Sequence, residues 1–183
     1  MKKHTAVLLI ALTVGGCISS KSTSAPGDIS TRRIALVADF SGVYSNYGVD
    51  ADTRQQLSML EVLWRHSSPD LHTCDSVEIS IRNGDTILFC GKKNGELSST
   101  ALRYFHKEEY SLSDSVVDFR PMTSTTSGEW EGSHTTTYTE RFWLNHDGDL
   151  IIEESNHSSG LGLGVVPAAQ WQKNVYRYVR KKG

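Results

Sequence analysis

The sequence lacks the short motifs that mark the common enzyme classes. It contains no Gly-x-Ser-x-Gly nucleophile elbow, no His-Glu-x-x-His zinc motif, no phosphate-binding loop and no Ser-x-x-Lys pair. Its seven histidines share no metal-ligand spacing, so the sequence predicts neither a metal site nor a cofactor. They are His4, His66, His72, His106, His134, His146 and His157. A catalytic role is therefore not predicted.

Long hydrophobic runs are missing as well. The main apolar run, Thr5 to Val14, has about ten residues, against the ~20 that a helix needs to cross a bilayer. Lys2 and Lys3 precede it and Gly15-Gly16-Cys17 follows, an order typical of a signal peptide. This segment resembles the signal peptide and lipobox of bacterial lipoproteins. The resemblance implies cleavage before Cys17 and a diacylglyceryl group on its sulfur; a secretory signal with an incidental cysteine is the alternative.

The lipid anchor expected at Cys17 determines the domain organisation and the location that we predict. Two or three acyl chains on Cys17 would hold the protein on a membrane without a transmembrane helix. By the sorting rule of enteric lipoproteins, Ile18 rather than Asp after the cysteine favours the periplasmic face of the outer membrane. The Ser-, Thr-, Gly- and Pro-containing stretch that follows has no apolar periodicity. We therefore expect a signal peptide at 1–16, a lipidated flexible tether at 17–32 and one β-rich domain at 33–183.

The sequence also lacks an excess of positive charge. Loss of Lys2 and Lys3 from the 19 basic residues would leave 17, against 21 acidic residues, a formal charge of −4 with neutral histidines. This balance argues against a nucleic-acid partner. The expected partners are the membrane, through the lipid, and an envelope protein or a glycan.

Cysteine is scarce, and only two of the three residues remain once Cys17 is assigned to lipid. In an oxidising periplasm the pair Cys74 and Cys90 predicts a disulfide. With a hairpin loop at 83–85, Glu78 would face Cys90. Cys74 would lie on the same face of the strand as Glu78, but four residues before it, which is roughly 13 Å along an extended strand. A bridge allows about 4.4–6.8 Å between Cα atoms, so the chain before Ser76 would have to curl back. Two separate, semi-buried thiols are the alternative.

Periodicity predicts a mostly β fold. Val77, Ile79 and Ile81 alternate with polar residues before Asn83-Gly84-Asp85, which indicates a hairpin that pairs Ile81 with Ile87. Apolar residues at helical spacing predict one helix over 53–65. Further strands are expected near 38–45, 86–90, 97–106, 115–119, 123–130, 135–145 and 171–180. Together they predict an antiparallel meander forming a barrel or sandwich with one short N-terminal helix; Gly42-Val43-Tyr44 resembles the opening of small lipocalin-like barrels of bacterial lipoproteins.

One predicted strand carries the candidate binding surface. Trp130, Arg141 and Trp143 would share a face, and Trp and Arg anchor protein and sugar contacts when exposed. Since both faces of the 135–145 strand carry apolar residues, something should cover each side, and these residues could instead be core. A turn at Asp147-Gly148 would set Trp143 opposite Ile152.

The leading hypothesis is a non-enzymatic, lipid-anchored envelope protein with a binding or envelope-maintenance role. The alternative is an inhibitor or immunity lipoprotein acting on a cell-wall-degrading enzyme, which a protruding loop would favour. An enzyme is the third hypothesis; Glu129, Glu131, Glu153 and Glu154 could supply a carboxylate pair of the kind that glycosidases need.

Overall fold

A computed structural model describes residues 21–22, 29–50, 56–64, 69–128, 132–162 and 166–182, and it is mostly β. The strands are β1 (Lys21–Ser22), β2 (Gly42–Ser45), β3 (Tyr47–Asp50), β4 (Gln56–Ser58), β5 (Ser76–Arg82), β6 (Thr86–Lys93), β7 (Glu96–Phe105), β8 (Tyr110–Ser113), β9 (Val116–Phe119), β10 (Met122–Gly128), β11 (Gly132–Leu144), β12 (Leu150–Gly162) and β13 (Val166–Tyr178). The helices α1 (Met59–Trp64) and α2 (Pro69–His72) are short, and 3-10 turns lie at Val37–Phe40 and Lys107–Glu109.

The strands form two sheets. The larger has the order β4-β3-β13-β12-β11-β9-β8, with β10 also beside β11 and β1 beside β13, and the smaller has the order β2-β5-β6-β7. All pairs are antiparallel except β1 with β13. Among the described strands neither sheet closes on itself. Of the predicted barrel and sandwich, the sandwich-like arrangement is therefore the one consistent with the fold.

Phenylalanine rings join the two sheets in the core. Phe89 of the small sheet meets Phe142 of the large sheet edge to face, with ring centroids 5.8 Å apart. Phe119 lies 4.6 Å from Phe142 and 4.4 Å from Phe105. Such contacts add about 0.5–1.5 kcal/mol each beyond burial, so this cluster holds the sheets together.

The predicted hairpin at Asn83-Gly84-Asp85 is confirmed. Ile81 pairs with Ile87, as expected from the Asn83-Gly84-Asp85 loop. At the next turn Asn94 and Gly95 have φ values of 53° and 85°, the left-handed conformations that a two-residue turn between strands requires.

The predicted helix is shorter than expected. Gln56–Ser58 is strand β4, paired with β3, and α1 begins only at Met59. The start is fixed by side chains: Ser58 Oγ accepts a hydrogen bond from Glu61 N–H at 3.4 Å, and Asn46 Oδ1 accepts one from Leu60 N–H at 3.2 Å. The predicted ends, 53–55 and 65, lie outside the described residues.

The predicted disulfide is wrong for this structure, which holds Cys74 and Cys90 as two separate buried thiols. Cys90 pairs with Glu78 as expected. Cys74, however, belongs to the core between the sheets, where a Cβ added to Gly91 would lie 2.8 Å from its Sγ. Gly91 and Cys90 are neighbours in β6, so the Cys90 side chain points to the face of the sheet opposite to the one that meets Cys74, and the structure keeps the two thiols separate.

The loop between β11 and β12 differs by one residue from the expectation. Leu144 pairs with Leu150, so Trp143 lies opposite Ile151 rather than Ile152. Asn145 Oδ1 accepts a hydrogen bond from Asp149 N–H at 2.8 Å and closes the five-residue loop, which the Asp147-Gly148 pair alone did not reveal.

Candidate binding face

The large sheet extends beyond the core as a polar wing. None of the wing's residues is buried, whereas the other ends of β11, β12 and β13 carry core residues. The wing consists of Met122–Thr126, 133–139, 154–160 and 169–174. Its stability therefore comes from strand pairing and side-chain contacts rather than from a hydrophobic core.

One side of the wing continues the face that carries Arg141. Alternation along each strand, and the pairing between strands, place twelve side chains on this side, which we call the open face. They are Thr123, Thr125, Ser133, Thr135, Thr137, Thr139, Ser155, His157, Ser159, Ala169, Trp171 and Lys173.

Hydroxyl groups of the open face are linked across the strands. Thr139 Oγ1 lies 2.6 Å from Ser155 Oγ, Thr123 Oγ1 lies 3.4 Å from Thr137 Oγ1, and the pair Thr125–Thr135 lies at 3.3 Å. These cross-strand contacts restrict the rotamers of the β-branched side chains. The face thus presents a fixed array of donors and acceptors.

A closed charge cluster borders this array. Arg141 Nε donates to Asp118 Oδ1 at 2.6 Å, and Arg141 Nη1 lies 3.7 Å from Glu153 Oε1. Lys173 Nζ lies 2.8 Å from the other oxygen of Glu153. The hydrogen bond to Asp118 raises the pKa of Arg141. Two cations and two carboxylates therefore balance, and the cluster carries no net charge.

The candidate surface Trp130, Arg141 and Trp143 is only partly assembled. Arg141 is exposed, but Trp143 on the same face is 8% exposed and packs with Ile151 and Val175. Its indole Nε1 donates to the carbonyl of Ile29 at 3.0 Å, so chain from the predicted tether covers it. Trp143 is therefore core rather than contact surface, and Trp130 lies outside the described residues.

Sequence reasoning missed Trp171 as a surface residue. This side chain is 52% exposed although it lies within the sheet. It pairs with His157, which pairs with Thr137, which pairs with Thr123, so the four form one row across four strands. The alternation of side chains along β13 could place Trp171 on the same face as Val175. Only the register between β13 and β12 shows that the residues of β12 beside Trp171 are polar and not buried.

An open cleft of about 520 Å³ adjoins Arg141. It lies where the neighbour of β11 changes from β9 to β10. Side chains of both charges line it, among them Lys107, Asp118, Arg120, Glu140 and Arg141. The cleft therefore offers polar contacts without a preference for one sign of charge.

Comparison with protein-family models, curated proteins and solved structures found no match. Within the described part of the chain, no group of three or more His, Cys, Asp or Glu side chains could hold a metal ion. The described helices include none that is long and apolar enough to cross a membrane.

Proposed function

We propose that this chain is a non-enzymatic, lipid-anchored envelope protein with a binding role, and that the open face is its contact surface. The observation that carries the binding role is the exposed indole of Trp171, set in a row with His157 and two threonines. Half-exposed tryptophans are frequent anchors of binding sites because one residue supplies a large apolar area and a hydrogen-bond donor.

The anchor rests on the sequence at Met1–Cys17, with its charged start, short apolar run and terminal cysteine. The test is incorporation of an alkyne-labelled palmitate by the full-length chain in a Gram-negative host. Label should be lost in Cys17→Ser and kept in Cys90→Ser, which removes a different thiol. Equal labelling of both variants would refute the anchor.

Location is tested separately with Ile18→Asp. The proposal expects the wild-type chain in the outer-membrane fraction and the Ile18→Asp chain in the inner-membrane fraction. Ile18→Asn is the matched control, since it adds a polar side chain without the charge. Recovery of the wild-type chain with the inner membrane would contradict the proposed location.

The binding role is tested by site-specific crosslinking in intact cells. A photoreactive amino acid at position 171 should give an adduct that is absent when the same group replaces Tyr104. Tyr104 is the matched control because it is 51% exposed and lies on the small sheet. The same adduct from both positions, or none from position 171, would argue against the open face as the contact surface.

The inhibitor or immunity role has one supporting observation. The wing, formed by β10 to β13, extends past Glu140, the last buried residue on that side among the residues of β11 whose burial is described. A projecting sheet end is a shape that can enter an active-site groove. Inhibition of muramidases by the full-length chain would favour this role, and unchanged hydrolysis of cell walls would exclude it for the enzymes tested.

A further inference from the structure

We propose that the ligand of the open face is an uncharged, unbranched polysaccharide that lies across the row Thr123–Thr137–His157–Trp171. This inference rests on the proposed binding role and names the ligand class for the same face. Neighbouring strands are about 4.8 Å apart, so the row extends over roughly 14 Å. That length suits several sugar units rather than one.

The side-chain chemistry matches a sugar chain. A pyranose ring has an apolar side of C–H groups and a rim of hydroxyls that both donate and accept hydrogen bonds. The exposed indole of Trp171 supplies a flat, electron-rich ring for the C–H side. Threonine hydroxyls and the imidazole of His157 supply donors and acceptors beside it.

The balance of charge favours an uncharged chain. Arg141, Lys173, Asp118 and Glu153 form the ion-pair cluster at this face in the described part of the chain, and they are engaged with one another at 2.6–3.7 Å. An anionic polymer would require cations without carboxylate partners, as nucleic-acid and phosphate sites have. The face offers instead a nearly neutral surface of hydroxyls.

The shape and composition of the face argue against a protein partner. Protein interfaces have an apolar centre ringed by polar groups. Trp171 is the one large apolar side chain among the twelve of the open face, and Ala169 is the other apolar residue. The open face is the surface of a sheet, which fits an extended chain better than a single small molecule.

The source within the proposed location is the glycan backbone of the cell wall, whose sugar rings are linked in one unbranched chain. The experiment uses the full-length chain purified in detergent, with two uncharged, unbranched probes in separate arms. The first arm is cosedimentation with insoluble chitin, which shares the N-acetylglucosamine units of that backbone. The second is affinity electrophoresis in gels that contain a soluble linear glucan, which lacks the acetamido groups.

Wild-type protein should bind at least one probe, and Trp171→Ala should weaken this binding about tenfold or more. Thr137→Val, which keeps the side-chain shape and removes the hydroxyl, should weaken it about two- to fivefold. Tyr104→Ala should bind as the wild type does. Circular dichroism and urea unfolding confirm that each variant is folded.

Binding that survives Trp171→Ala unchanged would overturn the inference. So would the absence of binding to both probes while a protein is crosslinked at position 171, and that outcome would leave the proposed binding role intact. If neither probe binds and position 171 gives no crosslinked adduct, both proposals are refuted: the polysaccharide as ligand and the open face as contact surface.

Discussion

Ser115 holds the backbone of Ile34 through both of that residue's polar groups. Ile34 N–H donates to Ser115 Oγ at 3.0 Å, and the hydroxyl donates in turn to the Ile34 carbonyl at 3.3 Å. The contact joins residues 81 positions apart and fixes the segment that covers Trp143. Ser115 has φ of 70°, a left-handed conformation that costs a non-glycine residue about 1–2 kcal/mol.

We predict that Ser115→Ala lowers the free energy of unfolding by about 1–2 kcal/mol, because the hydrogen bonds are lost while the backbone strain stays. Ser115→Gly loses the same bonds but relieves the strain, so it should be about 1 kcal/mol more stable than Ser115→Ala. Urea unfolding measures both. Ser113→Ala, at an exposed position two residues earlier, is the control and should stay within about 0.5 kcal/mol of wild type. Equal stability of Ser115→Ala and Ser113→Ala would show that the hydrogen bonds between Ser115 and Ile34 contribute nothing to the free energy of unfolding.

Gly91 of β6 lies against the core with no room for a side chain. A Cβ at this position would lie 2.6 Å from the Cβ of Ala101 and 2.8 Å from Cys74 Sγ. Gly91→Ala should therefore destabilise the protein by about 1–3 kcal/mol through overpacking. The double variant Gly91→Ala/Ala101→Gly should recover part of that loss in thermal unfolding. If the double variant loses as much stability as the two single variants lose together, the contact between positions 91 and 101 is not the cause of the destabilisation.

The correct part of the fold prediction came from local signals. Asn83-Gly84-Asp85 lies between two alternating runs, so turn chemistry and side-chain period agree and fix the pairing of Ile81 with Ile87. The helix was overpredicted because Leu57 continues the apolar spacing, although Gln56–Ser58 pairs with β3. Pairing with a distant strand overrides such a pattern.

The candidate site was predicted less well because it depends on long-range register. Arg141 and Trp143 were placed correctly on one face by alternation, but exposure depends on which chain segment covers which end of the strand. Ile29 covers Trp143, while the described residues leave the Trp171 side chain 52% exposed. Neither fact is encoded in the residues adjoining either tryptophan.

The reactivity of the two thiols tests whether Cys74 and Cys90 form a disulfide. Cys74 and Cys90 are both buried, and burial raises the pKa of the Cys90 thiol. We expect little labelling by iodoacetamide in native protein without reductant, and labelling of both residues after unfolding in urea, again without reductant. Peptide mass spectrometry assigns the two sites. Labelling that appears only after reduction would show that the disulfide predicted from the sequence does form.

Tyr178 is a buried residue whose hydroxyl finds no hydrogen-bond partner within the described structure. Its ring lies 6.5 Å from that of Tyr176. An unpaired buried hydroxyl costs about 1–3 kcal/mol, so Tyr178→Phe should raise the free energy of unfolding. Tyr44→Phe is the contrasting change, because the buried Tyr44 hydroxyl donates a 2.8 Å hydrogen bond to the Phe40 carbonyl and its removal should lower stability. A destabilised Tyr178→Phe protein in urea unfolding would indicate that the hydroxyl is satisfied, for example by a water.

The buried tyrosines should make the protein sensitive to alkali. Burial raises the pKa of Tyr44 from 10.0 to about 12, although Arg180 acts in the opposite direction, and burial also raises the pKa of Tyr176 and Tyr178. Between pH 10 and 12 the unfolded chain therefore loses phenolic protons that the folded chain keeps. Because the folded state then binds more protons, the free energy of unfolding falls as pH rises, by up to about 1.4 kcal/mol per pH unit for each such tyrosine. Below pH 10 both states are protonated and this contribution to stability is fully present.

Tyr44→Phe separates this effect from other causes of alkaline unfolding. The variant should be less stable than wild type at pH 7, because Tyr44 donates a 2.8 Å hydrogen bond to the Phe40 carbonyl. Its stability should nevertheless fall less steeply between pH 10 and 12, since one of the buried phenols is gone. Tyr104→Phe, which removes a half-exposed phenol, controls for the loss of a tyrosine and should retain the wild-type slope. Urea unfolding at a series of pH values gives the slope of the free energy of unfolding against pH for each protein. A Tyr44→Phe slope equal to that of wild type would mean that Tyr44 ionises as readily in the folded chain as in the unfolded one.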